Sequence, residues 1–155
     1  MIYTLTLNPS IDYIVHIKQL NTGNVNRMTE DFKLPGGKGI NVSRILQRIG
    51  SSSCALGFLG GFTGDFIEKW LVEEGIRSQF TKVEQDTRIN VKLKAEEETE
   101  INGLGPDLND DEINRLKFTL SELITTGDIV VLSGSTPGSL REGFYQELVK
   151  IIKEN

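Results

Sequence analysis

Short apolar segments that read as strands alternate along this chain with amphipathic segments that read as helices, and that rhythm limits the possible folds more than any other feature. The opening strand, residues 1–7, breaks at Asn8-Pro9-Ser10. Val42, Ile45, Leu46 and Ile49 fall at i, i+3, i+4 and i+7, which predicts a helix with these residues on one buried face and Gly50 just past its end. Residues 54–59 read as a buried strand. A second helix is expected near Gly64-Asp65, with Asp65 at or near its N-cap, burying Phe66, Ile67, Trp70 and Leu71 and stopping at Gly75. Residues 76–83 predict a short strand. Asn109 and Glu112 form a capping-box pattern before the stripe Ile113, Leu116, Leu120, Leu123 and Ile124, with Gly127 as the stop. Residues 128–132 read as a core strand. Ser139 and Glu142 offer a second capping box ahead of Phe144, Leu148, Ile151 and Ile152.

Strands separated by helices of this length imply parallel βαβ units, hence an α/β protein with a three-layer sandwich and a mainly parallel sheet. Two excursions, about residues 11–34 and 87–104, break the rhythm. They read as antiparallel strands (11–17, 25–34, 87–95 and 98–104) forming a small separate sheet, with Glu96, Glu97 and Glu98 in a solvated turn. The last predicted helix is apolar and stands where a further strand would follow, so the pattern reads as one truncated domain over residues 1–155.

Charge and composition narrow the function. With 17 Lys and Arg against 22 Asp and Glu, the net charge is −5, which argues against a broad footprint on nucleic acid or an anionic membrane. No run approaches the roughly 18 apolar residues that span a bilayer. The single cysteine, Cys54, permits no intrachain disulfide or thiolate metal cluster, and the single histidine, His16, no paired-imidazole site. No metal set is expected, and the default compartment is the cytoplasm.

The segment Leu34-Pro35-Gly36-Gly37-Lys38-Gly39-Ile40-Asn41 is the most informative for chemistry. Its small residues let backbone approach a ligand, and the unpaired N–H groups of the helix that follows suit an anion. Lys38 adds mobile charge and Asn41 both donates and accepts. The loop fits a phosphorylated, hydroxyl-rich ligand, and equally a plain strand-to-helix turn. It matches neither the P-loop spacing nor the dinucleotide fingerprint. Asp12, just past the first strand, could grip sugar hydroxyls or cap a turn. Gly57 to Gly64 could present amides or simply pack closely, and Ser133 to Gly138 could meet a ligand or satisfy its own turn. Arg27 and Arg88 are candidate phosphate clamps, because guanidinium is a fixed fork of donors.

In order and spacing, Thr4 to Asp12, Pro35 to Val42, the run Gly57-Phe58-Leu59-Gly60-Gly61 with Thr63-Gly64, Thr87 to Val91, and Leu132 to Pro137 resemble the N-terminal half of the 1-phosphofructokinases, in the PfkB branch of the ribokinase-like sugar kinases. The resemblance implies a ribokinase-like sandwich with a small β-sheet lid, a homodimer contact through that lid, and ATP with Mg2+ as cofactors. It implies phosphorylation of fructose 1-phosphate to fructose 1,6-bisphosphate. Asp12 would hold sugar hydroxyls; Gly36, Gly37 and Asn41 would line the sugar site; Lys38 and Arg88 would face the existing phosphate; Arg27 would contribute from the lid; Ser135 would border the sugar opposite.

The Gly-Gly-Lys-Gly-Ile-Asn loop is shared with tagatose-6-phosphate kinases, so the ketose stays open. The family's Gly-Ala-Gly-Asp motif, with the catalytic base and anion hole, does not occur here. The resemblance implies that this motif and the family's Asn-x-x-Glu element lie beyond residue 155, and the Asn109-x-x-Glu112 spacing here is the capping pattern. No catalytic residue is therefore expected in this chain, which alone should be inactive. A sugar-phosphate-binding module without chemistry is the competing expectation.

Overall fold

A computed structural model describes residues 1–154. Its elements are β1 (Ile2–Thr6), β2 (Ser10–His16), β3 (Glu30–Gly36), α1 (Lys38–Arg48), β4 (Ser53–Gly60), α2 (Gly61–Glu73), β5 (Arg77–Val83), β6 (Arg88–Lys94), β7 (Glu98–Asn102), α3 (Asp110–Leu123), β8 (Ile129–Leu132) and α4 (Phe144–Lys153). They form two sheets. The larger has the order β5-β4-β1-β8, every neighbouring pair parallel. The smaller, β3-β2-β6-β7, is mixed rather than antiparallel throughout: the outer pairs are antiparallel, but β6 is reached through α1, β4, α2 and β5 instead of a hairpin and runs parallel to β2.

Helices cover both faces of the larger sheet, as its parallel strands require. On one face Leu5, Leu7, Leu56 and Phe58 pack with Leu116 and Leu120 of α3 and Phe144 and Leu148 of α4. On the other, Ala55, Leu59 and Phe80 pack with Ile40 of α1 and Ile67 and Leu71 of α2. Every residue of β4 is consequently buried. Gly57 has φ 141°, and a Cβ there would lie 1.9 Å from the Thr6 carbonyl oxygen, so only glycine lets β4 approach β1 at that point.

Several local expectations are corrected. The α1 stripe does not face the sheet: Ile45 and Ile49 are exposed, while Gly39, Ile40 and Ser43 are buried. Small residues let α1 sit close to β1, where Ser43 shares hydrogen bonds with Thr4 Oγ1 (2.6 Å) and Ser53 Oγ (3.0 Å). The α2 helix starts at Gly61, with Gly60 rather than Asp65 at its N-cap. The Asn109–Glu112 capping box forms, and Glu112, though buried, also accepts from the Glu84 N–H at 2.8 Å. Gly127 lies beyond the end of α3, in the turn closed by Asp128 N–H to Thr125 O. Ser139 caps no helix: its hydroxyl accepts from Leu108 N–H and donates to Pro106 O, and α4 begins later, after Gly143. The β8 strand is an edge strand rather than a core one, with Ile129 58% exposed. The second strand of the small sheet starts at Glu30, not residue 25. Among the described residues no helix is long and apolar enough to cross a membrane.

Candidate functional site

Three structural junctions meet at the carboxyl end of the larger sheet: the link from β1 into β2, the entry from β3 into α1, and the loop after β8. Between them and the small sheet lies a cavity of about 370 Å3, lined by Thr6, Asn8, Ser10 and Asp12 from the first junction, Gly37, Lys38 and Asn41 from the second, Gly134 and Ser135 from the third, and Arg88, Asn90, Lys92 and Asn102 from the small sheet.

The α1 entry is fixed by close packing. Gly37 takes φ 122° and stands at the N-cap without a capping side chain, leaving the first amides of α1 without intrahelical acceptors. A Cβ on Gly39 would lie 2.4 Å from Thr6 Oγ1, and Thr6 Oγ1 accepts the Ile40 N–H at 2.9 Å. This contact seats the positive end of the helix beside the strand end. Lys38 is exposed and lines the cavity.

Asp12 is held from three sides. Its Oδ1 accepts from Ser10 Oγ at 2.8 Å and Asn90 Nδ2 at 3.2 Å, and its Oδ2 faces Lys92 Nζ at 3.4 Å. Asn90 is itself oriented, since its Oδ1 accepts the Gly103 N–H at 3.1 Å. Lys92 also faces Glu100 at 3.7 Å. Burial pulls the Lys92 ammonium down, but Asp12 and Glu100 outweigh it and raise its pKa, so it is cationic at neutral pH. Burial lowers Arg88, partly offset by Asp12. The Arg88 fork donates to Asn8 O from Nε (3.3 Å) and Nη2 (3.0 Å), to Gly103 O (3.2 Å) and to Ser135 Oγ (3.4 Å).

Of the residues expected from sequence, Asp12, Gly37, Lys38, Asn41, Arg88 and Ser135 converge on this cavity. Gly36 stands behind it, where a Cβ would meet Asp12 Oδ1 at 2.5 Å. Arg27 is exposed in the segment between β2 and β3 and does not line the cavity. The Gly57–Gly64 region is packed rather than open: Gly60 N–H donates to Thr87 Oγ1 at 3.0 Å, and Thr63 Oγ1 donates to Thr87 O at 2.7 Å. Cys54 is a buried thiol whose pKa burial raises, and His16 sits edge-on to Phe32.

Sequence reading missed Thr6, Asn8, Ser10, Asn90, Lys92 and Asn102. The signal was available: Ser10 and Asp12 on β2, and Arg88, Asn90 and Lys92 on β6, recur with period two, and the register pairs Ser10 with Arg88 and Asp12 with Asn90. Two adjacent strands thus put a continuous polar stripe on one face.

The family model for "pfkB family carbohydrate kinase" matches residues 5–155. The chain is 51% identical over 154 residues to a 1-phosphofructokinase of Bacillus subtilis, covering 99% of this chain and 50% of that protein. It is 39% identical over 155 residues to a tagatose-6-phosphate kinase of Staphylococcus epidermidis, covering 99% of this chain and 50% of the relative. Phosphofructokinase-2 from Escherichia coli, solved in complex with fructose-6-phosphate, superposes with a TM-score of 0.90 at 31% identity, over 99% of this chain and 51% of that one. That protein is also known in a tetrameric inhibited form. The chain spans about half the length of the relatives it matches. The chain belongs to the pfkB family of carbohydrate kinases.

Proposed function

We propose that the complete protein transfers the γ-phosphoryl group of ATP to O6 of fructose 1-phosphate, and that this chain supplies the half of the site that holds the acceptor. One observation carries this reading. The cavity sets three cationic side chains, Lys38, Arg88 and Lys92, against the single carboxylate of Asp12, in a chain whose net charge is −5. Local positive charge in an acidic protein, beside unpaired helix amides, fits an anionic ligand. The hydroxyl and amide groups of Ser10, Asn41, Asn90 and Ser135 fit the polyol that carries it.

In this reading Asp12 accepts hydrogen bonds from sugar hydroxyls, and Asn41 and Ser135 fix the ring. Lys38, Arg88 and the first amides of α1 face the phosphate already present. Binding then presents O6 toward the nucleotide, and positioning supplies much of the rate. In the transfer O6 forms a bond to the γ-phosphorus, the bond from that phosphorus to the β–γ bridging oxygen breaks, ADP leaves, and the hydroxyl proton passes to a base. No residue of this chain is assigned as that base. ATP brings Mg2+ in this family's chemistry, which neutralises charge on the transferring group. Among the described residues no three His, Cys, Asp or Glu side chains gather as a metal set. The assembly that goes with the proposal is a cytoplasmic homodimer paired through the small sheet, where Phe32 and Ile101 are exposed apolar residues and the nearby segment carries Arg27.

The test is a substrate panel on the complete protein with ATP: fructose 1-phosphate, tagatose 6-phosphate, fructose and tagatose. The proposal expects fructose 1-phosphate to give the highest kcat/KM, with the unphosphorylated sugars lower by about 100-fold or more. Equal activity on fructose would overturn it. The tagatose-6-phosphate kinase relative supports the second reading, and higher kcat/KM on tagatose 6-phosphate would select it. The 155-residue chain alone should show no turnover. A rate in the ordinary kinase range of about 1–100 s−1 would contradict the missing-base argument.

A further inference from the structure

Resting on the reading of the cavity as an acceptor site for a phosphorylated ketose, we propose that Lys92 on the lid strand β6 is a specificity-determining residue that pairs directly with the ligand's anionic group, beside Lys38 and the donor that Arg88 does not already spend on the cavity walls. The cations differ in how far they are already engaged. The Arg88 fork makes four hydrogen bonds, three of them to main-chain oxygens of Asn8 and Gly103. A guanidinium has five N–H donors, so little of it is left for a ligand, and withdrawing it would strand half-buried carbonyls.

Lys92 stands otherwise. Its partners are two side-chain carboxylates at 3.4 Å and 3.7 Å, beyond good hydrogen-bond length, on Asp12 and Glu100. Its side chain is 30% exposed, and that of Glu100 44%, so Glu100 can turn to water without desolvation cost while Lys92 turns to a new anion. Lys92 lies two residues beyond Asn90 on the same strand face, about 6.5 Å farther out. It can therefore reach the exposed end of a ketose whose hydroxyls occupy Asp12 and Asn90. Lys38 enters from the opposite element, the start of α1, so the two ammonium groups can close on one phosphate from two sides. The loss of the Lys92–Asp12 contact also frees Oδ2 of Asp12 to accept a sugar hydroxyl, so phosphate capture and hydroxyl capture are linked through one lysine.

The experiment is a binding titration of fructose 1-phosphate and of fructose into the complete protein, in the parent and in Lys92→Met, with Lys92→Arg as the conservative control. The parent should prefer the sugar phosphate. Lys92→Met should weaken fructose 1-phosphate about 10- to 100-fold and leave fructose within about twofold, and Lys92→Arg should recover most of the preference. If the parent prefers the sugar phosphate and Lys92→Met keeps that preference unchanged, the role of Lys92 is refuted while the site reading stands. An equal loss for both ligands makes Lys92 a purely structural residue and also refutes it. If the parent binds both ligands alike, the phosphate reading itself fails. Thermal unfolding of both variants confirms that the protein compared is folded.

Discussion

The guanidinium of Arg88 donates from Nη2 to the main-chain oxygen of Asn8 at 3.0 Å, across 80 residues of chain. The same fork reaches Gly103 O at 3.2 Å, so one side chain ties the end of β1 to the exit of the small sheet. Arg88→Met leaves both carbonyls without their charged donor. It should cost about 2–4 kcal/mol in urea unfolding. Arg88→Lys should recover less than half, because a point ammonium cannot reproduce the fork. A loss below about 0.5 kcal/mol for the methionine variant would show the tie to be without consequence.

The entry into α1 depends on Gly39, whose hydrogen faces Thr6 Oγ1 and Leu5 O where a Cβ would lie at 2.4 and 2.8 Å. Gly39→Ala must lift the helix start away from β1 and break the Ile40 N–H to Thr6 bond. The expected penalty is about 2–3 kcal/mol, despite the better helix propensity of alanine. Unfolding that is unchanged or stabilised would contradict the packing.

The first turn of α3 is closed by Asn109, whose side chain accepts the Glu112 N–H at 3.0 Å while Glu112 accepts the Asn109 N–H at 2.9 Å. Asn109→Ala should lower stability by about 1–2 kcal/mol. Asn109→Asp, which keeps the acceptor oxygen, should stay within about 0.5 kcal/mol of the parent. Equal losses for the two would mean that the cap is not the cause.

Arg44 and Glu74 form a two-bond pair, with Nε and Nη2 each 2.8 Å from a carboxylate oxygen, and Trp70 Nε1 adds a bond at 3.0 Å. The Arg44 hydrogen bond is the largest cause that holds the Glu74 carboxyl below its ordinary pKa. A depressed folded-state value means stability that is present above the unfolded pKa of about 4.3 and lost as pH falls through the folded one. At pH ~7, Glu74→Gln should therefore be less stable than the parent by about 1 kcal/mol, since the pair is partly exposed. The gap should close as pH falls below about 4. A gap that is constant from neutral to acid pH would remove the ion pair as its source.

How much of this was legible in the sequence differs between fold and site. The strands announced themselves, because β4 is a continuous apolar run and β8 is bounded by turn residues, and the Asn109–Glu112 box formed as its spacing implied. The face of α1 was not legible. Periodicity identifies a stripe such as Val42, Ile45, Leu46 and Ile49, but the face toward the sheet was chosen by close approach and by the Thr4–Ser43–Ser53 hydroxyls. The Ser139 box failed for a similar reason, since Leu108 and Pro106 from a distant loop claim its hydroxyl. At the site, residues beside glycines and strand ends stood out, namely Asp12, Lys38, Asn41, Arg88 and Ser135. Asn8, Asn90, Lys92 and Asn102 did not, because their convergence depends on the pairing of β2 with β6 and β6 with β7, which is set by tertiary register.

The most direct measurement is a crystal structure of the complete protein with fructose 1-phosphate bound. The expected result places the sugar between Asp12 and Asn41, and the phosphate within about 3 Å of an ammonium nitrogen of Lys38 or Lys92 and of the first amides of α1. A sugar phosphate seated elsewhere, for instance in the cleft beside Phe62 and Leu104, with the cavity around Asp12 filled only by solvent, would contradict it.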